Sequence, residues 1–426
     1  MRKTRLLINC LLCIILGCYS CKRDTPAVNP DSVSNNKSGS VIEGSNAVIN
    51  VNTEWKDLYG GDTIDYYIKT PVRIIKDAIL TIKPGVIVAF ESEESGIRVE
   101  DNAGLNASGT LSKQIIFTCR NKTEGAWKGI TFASGNTANK LNYTRVIYAG
   151  SMKDAGYCDS LAAIVLAKNY AVKVSITNSY IAYSGGYGIW AGASNADLTF
   201  TKDTVLCFLK PPLAITANNI CKLDSLSYYG YPNMTYIEVA GGEIKDVDTI
   251  QRLGVPYRIL GRIHVIRTLT ISHGCIFEFT KTGELTTSDL SGSNHTGIIK
   301  AIGKTTSHII FRGIQQQAGS WVGITITSPG ANDLEYCDIS CGGSASGFQN
   351  PSTAKGNIIV GRTGAGANAT VKYCTISLSA GYGITMFKDI ITPANSSNVY
   401  TTNSRNGLIV ETNAYDSNSS GIKGTY

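Results

Sequence analysis

Stretches with apolar residues at i, i+3, i+4 and i+7 are nearly absent from this 426-residue chain, which excludes a helical core. Charge is scarce as well, at 17% Asp, Glu, Lys and Arg, and no Lys/Arg cluster is interleaved with aromatics. No nucleic-acid partner is expected. The four histidines, His264, His273, His295 and His308, do not cluster with the cysteines, and no two C-x-x-C motifs stand at zinc-ribbon spacing. G-x-S-x-G, H-E-x-x-H, a Walker loop and a dinucleotide fingerprint are all missing. The apolar run near the N-terminus, residues 6–16, holds only 11 residues, too few to cross a hydrocarbon core of about 30 Å.

That short run reads instead as a targeting segment. Met1-Arg2-Lys3-Thr4-Arg5 is a basic start, and the run closes on Ile15-Leu16-Gly17-Cys18. An aliphatic residue, a spacer, a small residue and Cys resemble a bacterial lipobox, in which the Cys is acylated. Cys18 has the better aliphatic residue three positions upstream; Cys21, followed by Lys22-Arg23-Asp24, is the alternative. An ordinary secretory signal with incidental cysteines is the plainer reading. The expectation is a signal peptide over 1–17 and a lipidated Cys with a flexible, Asn/Ser/Pro-rich tether over 18–46. This places the protein on the outer membrane through its lipid anchor, periplasmic or surface-exposed. Loss of Arg2, Lys3 and Arg5 with the signal lowers the formal charge from +7 to +4.

Twelve cysteines suggest a disulfide framework until they are placed. Four lie in or beside the signal; the other eight, Cys119, Cys158, Cys207, Cys221, Cys275, Cys337, Cys341 and Cys374, are scattered, several within strand-like runs. They read as small buried apolar residues, with one or two disulfides open to an exported chain.

What is abundant is strand language. Gly (44) and Tyr (22) are frequent, and residues 80–150 alternate short β-branched runs with Gly, Asn, Ser and Thr. The same words return later. Lys56-Asp57 recurs as Lys245-Asp246, Leu80-Thr81-Ile82 as Leu269-Thr270-Ile271, and Ile115-Ile116-Phe117 as Ile309-Ile310-Phe311. Trp127-x-Gly129-Ile130-Thr131 recurs as Trp321-x-Gly323-Ile324-Thr325, Leu141-x-Tyr143 as Leu334-x-Tyr336, and Gly186-Tyr187-Gly188-Ile189 as Gly381-Tyr382-Gly383-Ile384. Collinear landmarks mean one module used twice, as lobes 47–232 and 233–426.

Within each lobe a shorter period appears. Ile130, Ile164, Ile189 and Ile215 mark it in the first, and Ile324, Ile359, Ile384 and Ile409 in the second. A unit of about 25 residues with two or three short strands cannot bury its apolar face alone, and stacking such units makes a continuous core. The pattern therefore predicts an all-β parallel β-helix of two tandem duplicated lobes. The long first interval of each lobe leaves room for an inserted loop, at 152–159 and 344–355.

Thr81-Ile82-Lys83-Pro84-Gly85-Val86, Gly109-Thr110, Ile116-Phe117-Thr118, Trp127-Lys128-Gly129-Ile130 and Leu141-x-Tyr143 through Ala149-Gly150 together resemble the right-handed parallel β-helix lipoproteins of Gram-negative bacteria, within the pectate-lyase-like superfamily. In the second lobe His273 replaces Pro84 and Gly342 replaces Ala149. The resemblance implies a right-handed β-helix at the cell envelope and no particular reaction.

Candidate chemistry falls in three places. If Val205 and Leu226 are equivalent inward positions, Asp203 and Asp224 stack on adjacent coils below Ser179 and Thr144, with Cys337 and Cys374 in the second lobe. Paired carboxylates are what a glycoside hydrolase needs, but Thr, Ser, Asp, Asp also describes a hydrogen-bonded ladder for turn backbone. Glu91, Glu93 and Glu94 could gather Ca²⁺, against the plainer reading of a solvated charge run; no other cofactor is implied. Tyr157, Tyr183, Tyr187 and Trp190 lie near one edge of consecutive coils and could stack on sugar rings, against a structural role in capping the core. Two functions remain: a non-catalytic binding or adhesion scaffold for a glycan or a host or surface protein, and a polysaccharide lyase or glycoside hydrolase.

Overall fold

The computed structural model describes residues 39–192, 196–206, 209–230, 236–345, 355–361, 366–387, 395–404 and 408–411. Cys18, Cys21 and Cys207 lie outside them. The described chain is a parallel β-helix: every paired strand couples in parallel to a strand on an adjacent coil, and those inside a sheet to the coils both before and after. Short strands of two to six residues alternate with corners, and the described strands form five parallel sheets around one core, three of them represented in each full coil. A first strand, Ser40–Ile42, pairs with Tyr66–Ile68. Folded structure thus begins inside the stretch expected to be tether, with Ile42 buried as one more apolar rung.

One sheet of fourteen strands runs through both lobes. Stacked at about 4.8 Å per strand, it is roughly 60 Å long. Its inward row passes without interruption through Ile130, Ile164, Ile189, Leu213, Ile237, Tyr257, Phe277, Phe311, Ile339 and Ile376. Each of these is buried, and full burial of such a side chain contributes about 1.5–3 kcal/mol. Tyr257, Phe277 and Phe311 stack along the row at 5.4 and 5.2 Å between ring centres. The lobes therefore share one core. Ile215, Ile359 and Ile409 are displaced from their expected places: Leu213 follows Ile189, Ile358 lies between Ile324 and Ile384, and Leu408 follows Ile384. Adjacent apolar residues such as Ile358-Ile359 conceal which of the two faces inward.

The second copy is turned by one face. In the first lobe Gly129–Phe132 belongs to the fourteen-stranded sheet and Ile115–Cys119 to the neighbouring eight-stranded one. In the second lobe the counterpart of Ile115–Cys119, strand Ile309–Gly313, continues the fourteen-stranded sheet, and Gly323–Ile326 moves to a separate seven-stranded sheet. The slip occurs where the 3-10 helix Ala217–Lys222 interrupts the strand pattern between the two copies. It also corrects one landmark. Thr53 pairs with Leu80 as Asp248 pairs with Leu269, so the counterpart of Asp57 is Arg252, and Lys245-Asp246 is a chance echo.

The duplicated Trp-x-Gly has a local cause. Trp127 stacks on Phe90 at 3.8 Å, and its Nε1–H donates to the Ile147 carbonyl at 2.8 Å. Trp321 stacks on Phe279 at 4.1 Å and donates to the Ser340 carbonyl at 2.7 Å. Gly129 and Gly323 have φ of +113° and +127°, and a Cβ on either would fall within 2.7 Å of a carbonyl on the next coil. Only glycine meets both demands. The corners use the left-handed region too: Tyr143, Asn178 and Lys202 in the first copy, and Tyr336, Tyr373 and Ser397 in the second, all have φ between +46° and +58°. This costs roughly 1–2 kcal/mol per residue and aims the following side chain into the core.

Candidate functional site

The residue after each of those corners forms an inward ladder. Ser179 Oγ accepts the Thr144 amide at 3.2 Å, and Asp203 accepts the Ser179 amide at 2.7 Å. Ser227 Oγ then accepts the Asp203 amide at 2.9 Å. Val205 pairs with Tyr229, so Ser227, not Asp224, occupies the next rung, and Leu226 is exposed. Asp224 instead closes a turn with Ser227 and accepts the Lys202 amide at 3.2 Å. Asp203 is fully buried, with its second oxygen taken by the Thr201 amide at 3.0 Å. Burial pushes its carboxyl up to about 8, against those two amide bonds. The two aspartates do not converge on a space a substrate could enter. In the second copy Cys337, Cys374 and Asn398 hold the same rungs.

Glu91, Glu93 and Glu94 lie exposed on the turn after Ile87–Phe90. Among the described residues no three His, Cys, Asp or Glu side chains are placed to share one metal ion. Six of the eight scattered cysteines are buried, Cys221 is partly so, and none of the described cysteines is in a disulfide.

Two of the four candidate aromatics, Tyr187 and Trp190, meet on the outside of the fourteen-stranded sheet, while Tyr157 stacks on Tyr170 at 5.4 Å in the loop region beside them. Its outward row reads Arg73, Arg98, Thr131, Val165, Trp190, Ala214, Glu238, Arg258, Glu278 and Arg312. The loop after Gly150 folds across this row. Asp154 within it is buried against Arg98, which donates through Nε at 2.9 Å and again through Nη2, with Lys128 at 3.7 Å. Tyr157 lies under the Arg98 guanidinium at 4.7 Å and donates its hydroxyl to Glu100. Cys158, Ala162, Val165 and Tyr187 then form a small apolar cluster outside the main core, with Trp190 and Ala214 at its margin. Tyr187 donates to Glu238 and carries Lys210 over its ring at 4.9 Å; burial first, then Glu238, raises its hydroxyl pKa. Tyr183 does not join them. It stacks on Tyr148 at 5.0 Å, at a corner of the eight-stranded sheet.

Past Ala214 the row becomes a charge ladder across the meeting of the copies. Glu278 receives Arg258 at 2.9 Å and Arg312 at 2.8 Å, and the two guanidinium groups hold its carboxyl below the usual range despite burial. The sequence reading missed this ladder, since its members are 20 and 34 residues apart and only the pairing register aligns them. It also missed a buried polar group on the seven-stranded sheet, where Glu284 accepts Thr325 Oγ1 at 2.6 Å and Arg262 Nε at 2.9 Å. A separate depression of about 370 Å³ opens where the copies meet, lined by Ser225, Gln251, Arg252, Thr270, His273 and Lys300 among others.

The chain is a parallel β-helix protein, and its outer faces, not its filled interior, are where a ligand can be met. The model of the pectate-lyase-like beta helix domain family matches residues 54–156, most of the first copy's opening coils. No curated protein and no solved structure matches the chain.

Proposed function

We propose that this protein is a non-catalytic binding scaffold of the cell envelope, anchored by lipid on Cys18, with Cys21 as the alternative, and that it takes a glycan chain along the outer face around Trp190. The observation that carries this is the setting of Trp190. Its indole is half-buried on the outward row, flanked by small Ala214 on the next coil, beside the Tyr187–Lys210 pair. A flat ring with a low neighbour is a surface on which a sugar face stacks. The burial of Asp203 removes it from the enzyme reading, because a carboxyl locked to two backbone amides inside the core is not available as an acid or base.

A glycan array with the full chain, run beside reducing-sugar and unsaturated-product assays, tests the proposal. Binding that falls in Trp190→Ala, with no product, is the expected result. Turnover of any array hit would replace the scaffold with a lyase or hydrolase. Lipid attachment is tested by labelling with a radioactive fatty acid, which Cys18→Ser should abolish; retention of label in that variant would move the anchor to Cys21.

A further inference from the structure

The two copies differ in charge at one corner, and the difference faces the depression between them. In the first copy Asp57 lies against the Gly85 turn, where a Cβ on Gly85 would come within 2.8 Å of its carboxylate, and Lys113 neutralises it at 3.5 Å. Glu54 beside it is likewise paired with Lys83 at 2.8 Å. That corner is self-neutralised. In the second copy Arg252 takes the place of Asp57 against the matching Gly274 turn, where a Cβ would come within 2.9 Å of its side chain. Ser307 replaces Lys113, Thr249 replaces Glu54, and Ser272 replaces Lys83. Pro84 has become His273, whose Nδ1 lies 3.2 Å from Ser307 Oγ.

The outcome is a concavity with no acidic residue in its lining. Arg252 is exposed and forms no ion pair among the described residues, while its stem is seated on Gly274, which has φ of +76°. Lys300 adds a second cation, shared with Asp333 at 2.5 Å. Around them Ser225, Gln251 and Thr270 supply neutral donors. A volume of about 370 Å³ suits a monosaccharide-sized group. A guanidinium fork whose stem lies against the Gly274 turn and which is flanked by hydroxyls is complementary to a planar or tetrahedral oxyanion.

We propose that this depression is an oxyanion-binding site peculiar to the second copy, where Arg252, His273 and Ser307 stand in place of Asp57, Pro84 and Lys113, and that it takes a carboxylate, sulfate or phosphate group. It is separate from the Trp190 face and stands or falls independently of it.

The test is calorimetric titration of the full chain with glucuronate, inorganic sulfate and inorganic phosphate, with glucose as the neutral control. Saturable binding of at least one anion is expected, and the three arms identify which oxyanion is preferred. Arg252→Ala and Arg252→Gln should each weaken it about ten-fold or more, since a charge-assisted hydrogen bond is lost. Asp57→Ala, at the self-neutralised corner of the first copy, should leave it unchanged. Arg252 is exposed, so an unaltered thermal midpoint is expected to accompany the loss. Absence of saturable binding to all three anions, equal binding of glucose, or full affinity in Arg252→Ala would each overturn the proposal.

Discussion

Asp203 and Asn398 hold the same rung of the inward ladder in the two copies: Asp203 accepts the Ser179 amide at 2.7 Å, and Asn398 accepts the Cys374 amide at 2.9 Å. An acid and an amide thus do one backbone-satisfying task. The acid does it with a titration attached. Its carboxyl, near 4 in an unfolded chain, is raised to about 8 by burial. The folded state therefore binds more protons than the unfolded state between those values, and stability falls as pH rises from about 4 to about 8, by at most ~1.4 kcal/mol per pH unit. Asp203→Asn, which copies the second lobe, should fold and should flatten this part of the curve. Denaturant titrations of both proteins at several pH values measure it; an unchanged slope would show that Asp203 is ionised in the fold.

Cys337 and Cys374 stand where the first copy has Thr144 and Ser179, and their thiols point at backbone carbonyls of the preceding strands at 3.2–3.4 Å. The hydroxyls make the matching bonds, with Thr144 Oγ1 on the Ala107 carbonyl at 2.9 Å. Cys337→Thr and Cys374→Ser should therefore cost less than about 1 kcal/mol each, whereas Cys374→Leu should cost about 1–3 kcal/mol by overpacking. Urea midpoints distinguish the two cases.

The loop over the first copy depends on one buried pair. Arg98→Ala leaves Asp154 without its main partner. The expected cost is roughly 2–3 kcal/mol, below the range for fully buried pairs because Arg98 keeps some solvent contact and Lys128 stays near. The loss should be local. Amide exchange should accelerate across residues 152–160, and the emission of half-buried Trp190 should shift, while the coils beneath remain protected.

Trp127→Phe and Trp321→Phe should each cost about 1–3 kcal/mol, because the carbonyls of Ile147 and Ser340 lose their indole donors inside the core. The Ala variants should cost about 3–5 kcal/mol. In a stacked architecture each loss should be felt first by the coils beside it. Exchange protection in the first copy should therefore fall before the second for Trp127, and the reverse for Trp321.

The architecture was legible because its marks are local. Gly129 and Gly323 are demanded by backbone geometry, Trp127 and Trp321 by packing, and such demands repeat in sequence when a module repeats. Of the four rungs expected in the first copy three hold and the last does not, for a physical reason. Thr144, Ser179 and Asp203 follow left-handed corners and can be found by their spacing, but the turn from Asp224 to Ser227 lets Ser227 reach the rung that counting assigned to Asp224. The meeting of Tyr187 and Trp190 on one face could be suspected, whereas Tyr157 stacks on Tyr170 and Tyr183, only four residues before Tyr187, turns a corner onto another sheet. The Glu278 ladder and the Arg252 depression arise from register between coils, which no single strand records.

The one-face turn between the copies bears on what a long ligand meets. A polymer laid along the fourteen-stranded sheet would pass from the surface built by Gly129–Phe132 to that built by Ile309–Gly313, which are different parts of the module. Duplication has not given the molecule two identical docking tracks end to end. It has given two unlike surfaces in series on each side, so a partner that spans both must be asymmetric along its length, and one that repeats every sugar can be matched by only one half.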